Sequence, residues 1–157
     1  MQPLFGLDLG GTKIEGVVLK SKNDPSVLAR LRLPTEQEGG YEHILNQISK
    51  VVKALEKETN IKAEYIGIGT PGALDPNTGL HKNSNTTCIN GKPSKRDLEA
   101  LLGVPVRMAN DANCFAVAEA NMGAVPAVLP NAEVVFGVIL GTGVGGGIII
   151  VSSPQER

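Results

Sequence analysis

Hydrophobic and polar positions alternate with changing periods along this chain of 157 residues, and the changes divide it into elements. Two apolar runs, residues 4–9 and 14–19, flank a short glycine turn near the start. This pattern predicts a β-hairpin, and the alternating segment 27–33 predicts a third, antiparallel strand. Apolar residues at helical spacing between Tyr41 and Thr59 then predict the longest helix.

The rest of the chain continues with strands and helices and ends with a second glycine turn. The apolar run 65–70 predicts a buried strand, which a right-handed crossover would place parallel to the first strand. A long loop (73–93) and a short helix are predicted next, and the helix begins with a Ser94–Asp97 capping box and ends at Gly103. A fifth strand (104–109) follows. Asn110 then caps a helix that runs to Gly123, and a linker (124–131) comes after it. Residues 134–140 and 148–151 then flank the second turn as another predicted hairpin.

The first turn, Gly10-Gly11-Thr12, lies between Asp8 and Lys13 and has the composition of an anion site. Glycines let backbone N–H groups approach a ligand closely, and a hydroxyl and an ammonium beside them suit phosphate oxygens. A strand, not a helix, is predicted after the turn, so it is neither a Walker A loop nor a Rossmann turn. The alternatives are an ordinary glycine-rich hairpin and, for Lys13, a solvated lysine.

The second turn spells G-x-G-x-x-G with Gly141, Gly143 and Gly146. Four β-branched residues follow it where a dinucleotide site would need a helix, so the pattern argues against such a site. Two glycine-turn hairpins separated by strands and helices instead indicate an α/β fold of the ribonuclease-H-like, actin-like ATPase class. We expect a mixed five-stranded sheet flanked by helices, followed by the first β-hairpin of a second domain.

Composition excludes several classes of function. The chain is 41% hydrophobic and 20% charged with a net charge of −1, which is typical of a globular domain and unlike a basic nucleic-acid-binding surface. Aromatic residues make up 3%, so a sugar would be held by hydrogen bonds. With no apolar run of membrane-spanning length and no signal peptide, we expect a cytoplasmic protein in which Cys88 and Cys114 are inert thiols, the alternative being a disulfide or metal site.

Five motifs in order resemble the ROK family, which comprises repressors, open reading frames and sugar kinases such as bacterial glucokinases. The motifs are Asp8-Leu9-Gly10-Gly11-Thr12-Lys13, Gly67-Ile68-Gly69-Thr70-Pro71-Gly72, Asn83-Ser84-Asn85-Thr86, Asn110-Asp111-Ala112-Asn113 and Gly141-Thr142-Gly143-Val144-Gly145-Gly146. The resemblance, which covers residues 4–151, implies an N-terminal kinase domain (1–123). Residues 124–157 would then be a linker and the first hairpin of an incomplete C-terminal domain.

The resemblance also implies roles for single residues. Asp111 looks like the catalytic base that takes the proton from the attacking sugar hydroxyl, although an Asn-Asp pair is also a common helix cap. Asn110, Gly72 and Asn85 match positions that meet the sugar, with a plain surface loop as the alternative for residues 83–90. The residues matching the ATP phosphate cradle are Gly10, Gly11, Thr12, Lys13, Thr142, Gly143 and Gly145. Asp8 would orient Mg²⁺ through water.

The chain departs from the family pattern after the second turn. The sugar-binding Glu-x-Gly-His motif and the cysteine-rich zinc cluster of the family do not occur in it, so we expect no zinc site and little kinase activity from this chain alone. The implied activity is transfer of the ATP γ-phosphate to a hexose hydroxyl, the 6-OH, by a homodimeric parent that binds neither nucleic acid nor membrane. The alternatives are a sugar-sensing regulator without its DNA-binding region and a non-catalytic remnant. We expect the apolar hairpin to pack on the first domain or to pair with another copy.

Overall fold

The computed structural model describes residues 2–140 and 144–150. Its strands are β1 (Leu4–Leu9), β2 (Lys13–Leu19), β3 (Val27–Pro34), β4 (Ile66–Thr70), β5 (Ala73–Leu74), β6 (His81–Lys82), β7 (Val106–Asn110), β8 (Val134–Leu140) and β9 (Val144–Ile150). Its α-helices are α1 (Gly40–Thr59), α2 (Ser94–Leu102), α3 (Asp111–Met122) and α4 (Ala124–Val128). Two 3₁₀ turns cover Gln37–Gly39 and Thr87–Ile89. No helix among these described residues is both long and apolar enough to cross a membrane.

The chain forms two compact units, Met1–Ala109 and Asn110–Arg157. The main sheet has the strand order β3-β2-β1-β4-β7, with β1 antiparallel to β2, β2 antiparallel to β3, and β1 parallel to β4. The predicted mixed five-stranded sheet and its parallel crossover are therefore confirmed. The predicted domains, 1–123 and 124–157, stay a prediction.

Helix α1 covers one face of this sheet, as its apolar periodicity predicts. Its buried residues Ile44, Ile48 and Leu55 pack into the core with the alternate residues of β1 and β2. The closest approach is at Gly16 of β2, where an added Cβ would lie 2.5 Å from Val51 Cγ1 and 2.8 Å from Leu55 Cδ1. Only a residue without a side chain lets the helix lie this close to the strand.

Helix α2 begins differently from the prediction. Pro93 is its N-cap residue, and no side chain caps the helix, so the predicted capping box of Ser94 and Asp97 is wrong. The Ser94 hydroxyl instead lies 3.1 Å from Nδ1 of the buried His81. The prediction that Gly103 ends the helix is confirmed, because Gly103 has φ of 72° and its N–H donates to the Glu99 carbonyl at 2.9 Å.

Two segments predicted as loop contain regular structure. The long loop includes the two-stranded β5–β6 pair and a 3₁₀ turn, and the predicted linker includes helix α4. Short elements of this kind are held by contacts in the folded chain and leave no periodic pattern in the sequence.

The second unit contains helices α3 and α4 and the β8–β9 hairpin. Strands β8 and β9 pair antiparallel and pack one face against α3, where Gly137 of β8 and Gly147 of β9 lie against Ala116 and Ala112 respectively. An added Cβ at Gly147 would lie 2.5 Å from the Ala112 carbonyl oxygen. The hairpin thus packs on α3 within the same unit, and its packing on the first domain or pairing with another copy stays a prediction. The opposite face of the hairpin exposes the large apolar residues Val134, Phe136, Val138, Leu140, Val144, Ile148 and Ile150.

Candidate functional site

The first glycine turn closes the β1–β2 hairpin and lies beside an exposed carboxylate. The Gly10 N–H donates to the Lys13 carbonyl at 2.9 Å, which fixes the turn, and the Lys13 side chain begins β2 as an exposed residue. Asp8 is the penultimate residue of β1, and alternation along the strand puts it on the face opposite the buried Leu7 and Leu9. Asp8, the turn and Lys13 thus form one continuous polar end of the hairpin.

A second carboxylate lies beside Asp8 on the neighbouring strand. Asp8 pairs with Glu15 of β2, and the Glu15 carboxylate receives hydrogen bonds from Arg30 and Arg32 of β3. The hydrogen bond from Arg32 is the main reason that the pKa of Glu15 is lowered, with desolvation opposing it and Arg30 adding to it. The two guanidinium groups offset the Glu15 charge, so Asp8 does not face an uncompensated anion.

Thr35, which immediately follows β3, holds both ends of the turn. Its hydroxyl donates to the Gly10 carbonyl at 2.6 Å and its N–H donates to the Thr12 carbonyl at 3.0 Å. Thr35 cannot be identified from the sequence alone, because a threonine after a strand has no distinguishing pattern. The only available signal was its position after Pro34, where a strand is expected to end.

Gly72 lies at the same edge of the sheet as the turn. It follows β4, which runs parallel to β1 with Gly69 beside Asp8, and the carboxyl ends of parallel neighbours meet at one edge. Gly72 has φ of +74°, and an added Cβ would lie 2.8 Å from Ser84 N and from Asn83 C. Any side chain here would displace the residue 83–90 loop from the β4 end, so both the conformation and the space require glycine.

A buried histidine holds the chain just before Gly72. His81 lies at the start of β6, with Nε2 2.8 Å from the Pro71 carbonyl and Nδ1 3.1 Å from the Ser94 hydroxyl. A carbonyl can only accept a hydrogen bond, so Nε2 carries a proton and donates to Pro71. His81 therefore links β6 to the Pro71–Gly72 segment, a role that the sequence analysis did not identify.

The loop 83–90 is folded back on itself and lies against the glycine turn. Asn90 accepts from the Ser84 N–H at 2.9 Å and donates to the Ser84 carbonyl at 2.8 Å, which leaves the Asn85 side chain exposed. Thr86 is fully buried, and its Oγ1 lies 3.7 Å from the position a Cβ would take on Gly11. Among the described residues, Thr86 Oγ1 has no hydrogen-bond partner. In unit 1 the structure thus brings together Asp8, residues 10–13, Gly72 and the loop that carries Asn85.

The Asn110–Asp111 pair forms the start of helix α3 as predicted. Asn110 is the N-cap residue, and its Oδ1 accepts from the N–H groups of Ala112 at 3.1 Å and Asn113 at 3.3 Å. The Asp111 Oδ1 accepts from the Ala112 N–H at 2.8 Å. The N–H groups at the start of a helix carry partial positive charge, and the Asp111 side chain lies beside them. The capping role and a chemical role are compatible, because Asp111 remains partly exposed.

The second glycine turn falls mostly outside the described residues. Thr142 and Gly143 are among the undescribed positions, and of the predicted cradle in this turn only Gly145 is described. Gly145 pairs with Ile139 across the hairpin, and an added Cβ there would lie 3.6 Å from Ala112 Cβ. Gly145 thus faces the first turn of α3.

Comparisons with known proteins agree with this architecture. The chain is 39% identical over 145 residues to an N-acetyl-D-glucosamine kinase from Vibrio atlanticus, an alignment that covers 92% of this chain and 45% of the relative. A ROK hexokinase from Thermus thermophilus superposes with a TM-score of 0.78 at 35% identity, over 95% of this chain and 47% of that one. A ROK glucokinase from Streptomyces griseus, solved with glucose and AMPPNP, gives a TM-score of 0.77 at 30% identity, over 95% and 45%.

The chain spans about half the length of these relatives. Its fold is therefore that of an N-terminal portion of an actin-like sugar kinase. The ROK family matches residues 4–156, which is nearly the whole sequence. The chain belongs to the ROK family.

Proposed function

We propose that this chain is the N-terminal portion of an ATP-dependent sugar kinase that transfers the γ-phosphate to a hexose, at the 6-hydroxyl. The observation that carries the proposal is the shared sheet edge in unit 1, where the Asp8–Lys13 segment and the constrained Gly72 lie together. A phosphate site next to a sugar site is the arrangement that phosphoryl transfer needs, because its catalysis rests mainly on positioning and electrostatics.

On this proposal several of the predicted site residues bind and activate the sugar. Asp111, the first residue of α3, accepts the proton of the attacking hydroxyl. Asn110 binds a sugar hydroxyl beside it, while Gly72 offers its backbone and Asn85 its exposed amide. The support for Asn85 is its exposure on a loop whose shape Asn90 fixes.

The phosphates would be held by the first turn and by the second turn. The proposed cradle residues are Gly10, Gly11, Thr12 and Lys13 of the first turn and Thr142, Gly143 and Gly145 of the second turn. Mg²⁺ is commonly bound by one or two carboxylates together with substrate phosphates and waters, and the exposed carboxylate of Asp8 beside the turn fits that donor set. Asp8 would hold the hydrated ion, which neutralises charge on the phosphates.

The remaining features of the proposal concern the whole protein. We propose that residues 1–123 form the kinase domain and that residues 124–157 are a linker and the first hairpin of the second domain. We also propose that the intact kinase acts in the cytoplasm as a homodimer, with ATP and a sugar as its ligands and neither nucleic acid nor membrane as a partner. This chain alone would have little activity, because its relatives are about twice as long.

A complemented enzyme tests the proposal. The chain is joined to the C-terminal half of the Vibrio atlanticus kinase, and ADP release is followed with glucose, mannose, N-acetylglucosamine and N-acetylmannosamine. Asp111→Asn should lower kcat by about 10²–10⁴-fold, the range of general base catalysis. Asp24→Asn, in an exposed loop, is the matched control and should leave kcat unchanged.

Failure of the complemented enzyme to phosphorylate any of these sugars would contradict the kinase proposal. Sugar binding measured by calorimetry without any phosphate transfer would instead favour the sugar-sensing regulator.

A further inference from the structure

We propose that Thr35 is a positioning residue that orients the Gly10–Gly11 peptide so that the Gly11 N–H is available to a phosphate oxygen. This inference rests on the proposed function, since it concerns the same phosphate turn. Thr35 is fully buried and lies outside every motif that resembles the family pattern.

Thr35 makes two separate hydrogen bonds to the turn, one from its side chain and one from its backbone. The hydroxyl donates to the Gly10 carbonyl at 2.6 Å, and the N–H donates to the Thr12 carbonyl at 3.0 Å. The two carbonyls flank Gly11, so both of its neighbouring residues are tied to the same buried side of the hairpin. Because Gly11 has no side chain of its own, its position is fixed by the hydrogen bonds that Thr35 makes to Gly10 and Thr12.

The planarity of the peptide bond turns this anchoring into orientation. In a trans peptide the C=O and the following N–H point in opposite directions. Because the Gly10 carbonyl points at the buried Thr35 hydroxyl, the Gly11 N–H points away from Thr35. A glycine peptide without this bond could rotate readily, since glycine occupies a wide range of backbone angles. Thr35 therefore preorganises a donor that the turn would otherwise have to order on binding.

The position of Thr35 is itself fixed by helix α1. Gln47, a buried residue of α1, donates through Nε2 to the Pro34 carbonyl at 2.8 Å. The same peptide geometry makes the Thr35 N–H point the opposite way, towards Thr12. A continuous series of hydrogen bonds thus runs from Gln47 through the Pro34–Thr35 peptide to the turn, which explains a buried glutamine on the apolar side of the helix.

Local hydrogen exchange in the ¹⁵N-labelled chain tests the anchoring. Thr35→Val keeps the shape of the side chain and removes the hydroxyl, Thr35→Ser keeps the hydroxyl, and Thr78→Val in an exposed loop is the control. The Gly10 amide donates to the Lys13 carbonyl across the turn, so it exchanges only when the turn opens. Losing the hydrogen bond from Thr35 to the Gly10 carbonyl should make the turn open more often and speed this exchange by about tenfold in Thr35→Val, with little change in Thr35→Ser or at the Phe5 amide in mid-strand. Equal acceleration at Gly10 and Phe5, or none at Gly10, would overturn the inference.

Anion binding tests the orientation. Tripolyphosphate and MgATP are titrated separately into the labelled chain while the Gly11 amide resonance is followed. The dissociation constant should rise about tenfold in Thr35→Val and return towards the wild-type value in Thr35→Ser, as expected for one phosphate contact. Unchanged affinity in Thr35→Val would overturn the proposed role of Thr35.

The two measurements also separate this inference from the proposed function. A wild-type chain that binds neither probe would overturn the phosphate role of the turn and with it the orientation step, whereas the exchange pattern decides the anchoring in either case.

Where Thr35→Val fails to fold, Gln47→Leu takes its place. By releasing the Pro34 carbonyl it should accelerate exchange of the Thr35 amide more than that of Phe5, and equal rates would overturn the inference.

Discussion

The fully buried hydroxyl of Thr86 lies beside Gly11, with Oγ1 3.7 Å from the position of a Cβ on that glycine. Among the described residues this hydroxyl has no hydrogen-bond partner. A buried polar group that is unpaired costs roughly 1–3 kcal/mol of stability. The contact between the loop 83–90 and the glycine turn thus includes a hydroxyl that lowers the stability of the folded chain.

Replacing this hydroxyl should therefore stabilise the chain. Thr86→Val keeps the volume of the side chain and removes the unpaired oxygen, so the free energy of unfolding should rise by about 1 kcal/mol. Urea denaturation followed by circular dichroism measures the change. Thr35→Val is the matched comparison and should lower stability, because the Thr35 hydroxyl donates to Gly10. A loss of stability in Thr86→Val comparable to that in Thr35→Val would show that the Thr86 hydroxyl is satisfied.

A methyl group at Gly16 should separate α1 from the sheet. The added Cβ would lie 2.5 Å from Val51 Cγ1 and 2.8 Å from Leu55 Cδ1, both in the core. Overpacking of this kind typically costs about 1–3 kcal/mol, so Gly16→Ala should lower the urea midpoint clearly. Gly67→Ala in β4 is the control, because its Cβ would meet only the Phe5 carbonyl oxygen at 3.9 Å. Equal effects of the two substitutions would contradict the close packing of α1 on β2.

The main elements of the fold could be predicted because their patterns are local. The alternation in β1 and β2 and the helical spacing in α1 record which side of each element is buried. The start of α2 could not be predicted in the same way. Ser94 has the sequence of a cap, yet its hydroxyl lies beside His81, which is distant in sequence and adjacent only after folding.

In the site, too, features with a local sequence pattern could be predicted, whereas contacts between residues distant in sequence could not. Asp8, the first turn and the Asn110–Asp111 cap carry recognisable motifs, and the structure gives them the local geometry that the motifs predict. Thr35 supports the turn through two hydrogen bonds, and His81 supports the Pro71–Gly72 segment through one, in each case from another element of the fold. Such contacts leave no periodic or spaced signal in one sequence, so they emerge only when the fold is known.

The pKa of Glu15 makes part of the stability depend on pH. The hydrogen bond from Arg32, aided by Arg30, lowers this pKa in the folded chain. A lowered carboxyl pKa contributes stability above the unfolded value, and this contribution is lost as the pH falls through the folded value. The stability advantage of wild type over Glu15→Gln should therefore be largest near neutral pH and shrink below about pH 4.5, the unperturbed value for this group.

Urea midpoints of both chains between neutral pH and pH 3 measure that advantage. High salt should reduce it, because the two arginines are partly exposed and the pair is screened by ions. Glu38→Gln, in an exposed turn of the same chain, is the control and should follow wild type across the whole pH range. A constant difference between wild type and Glu15→Gln at every pH would exclude titration of Glu15 as the cause.

The uncovered face of the β8–β9 hairpin should make the isolated chain self-associate. Val134, Phe136 and Ile148 are each more than half exposed, and Phe136 and Ile148 are direct partners across the two strands. A contiguous apolar surface on a two-stranded sheet with open edges favours pairing with another copy. Light scattering should show a mass that rises with concentration, and Phe136→Lys should shift it towards the monomer. Leu28→Lys, which adds the same charge at an exposed apolar residue of β3, should leave the association unchanged. A monomer at every concentration would contradict pairing through this face.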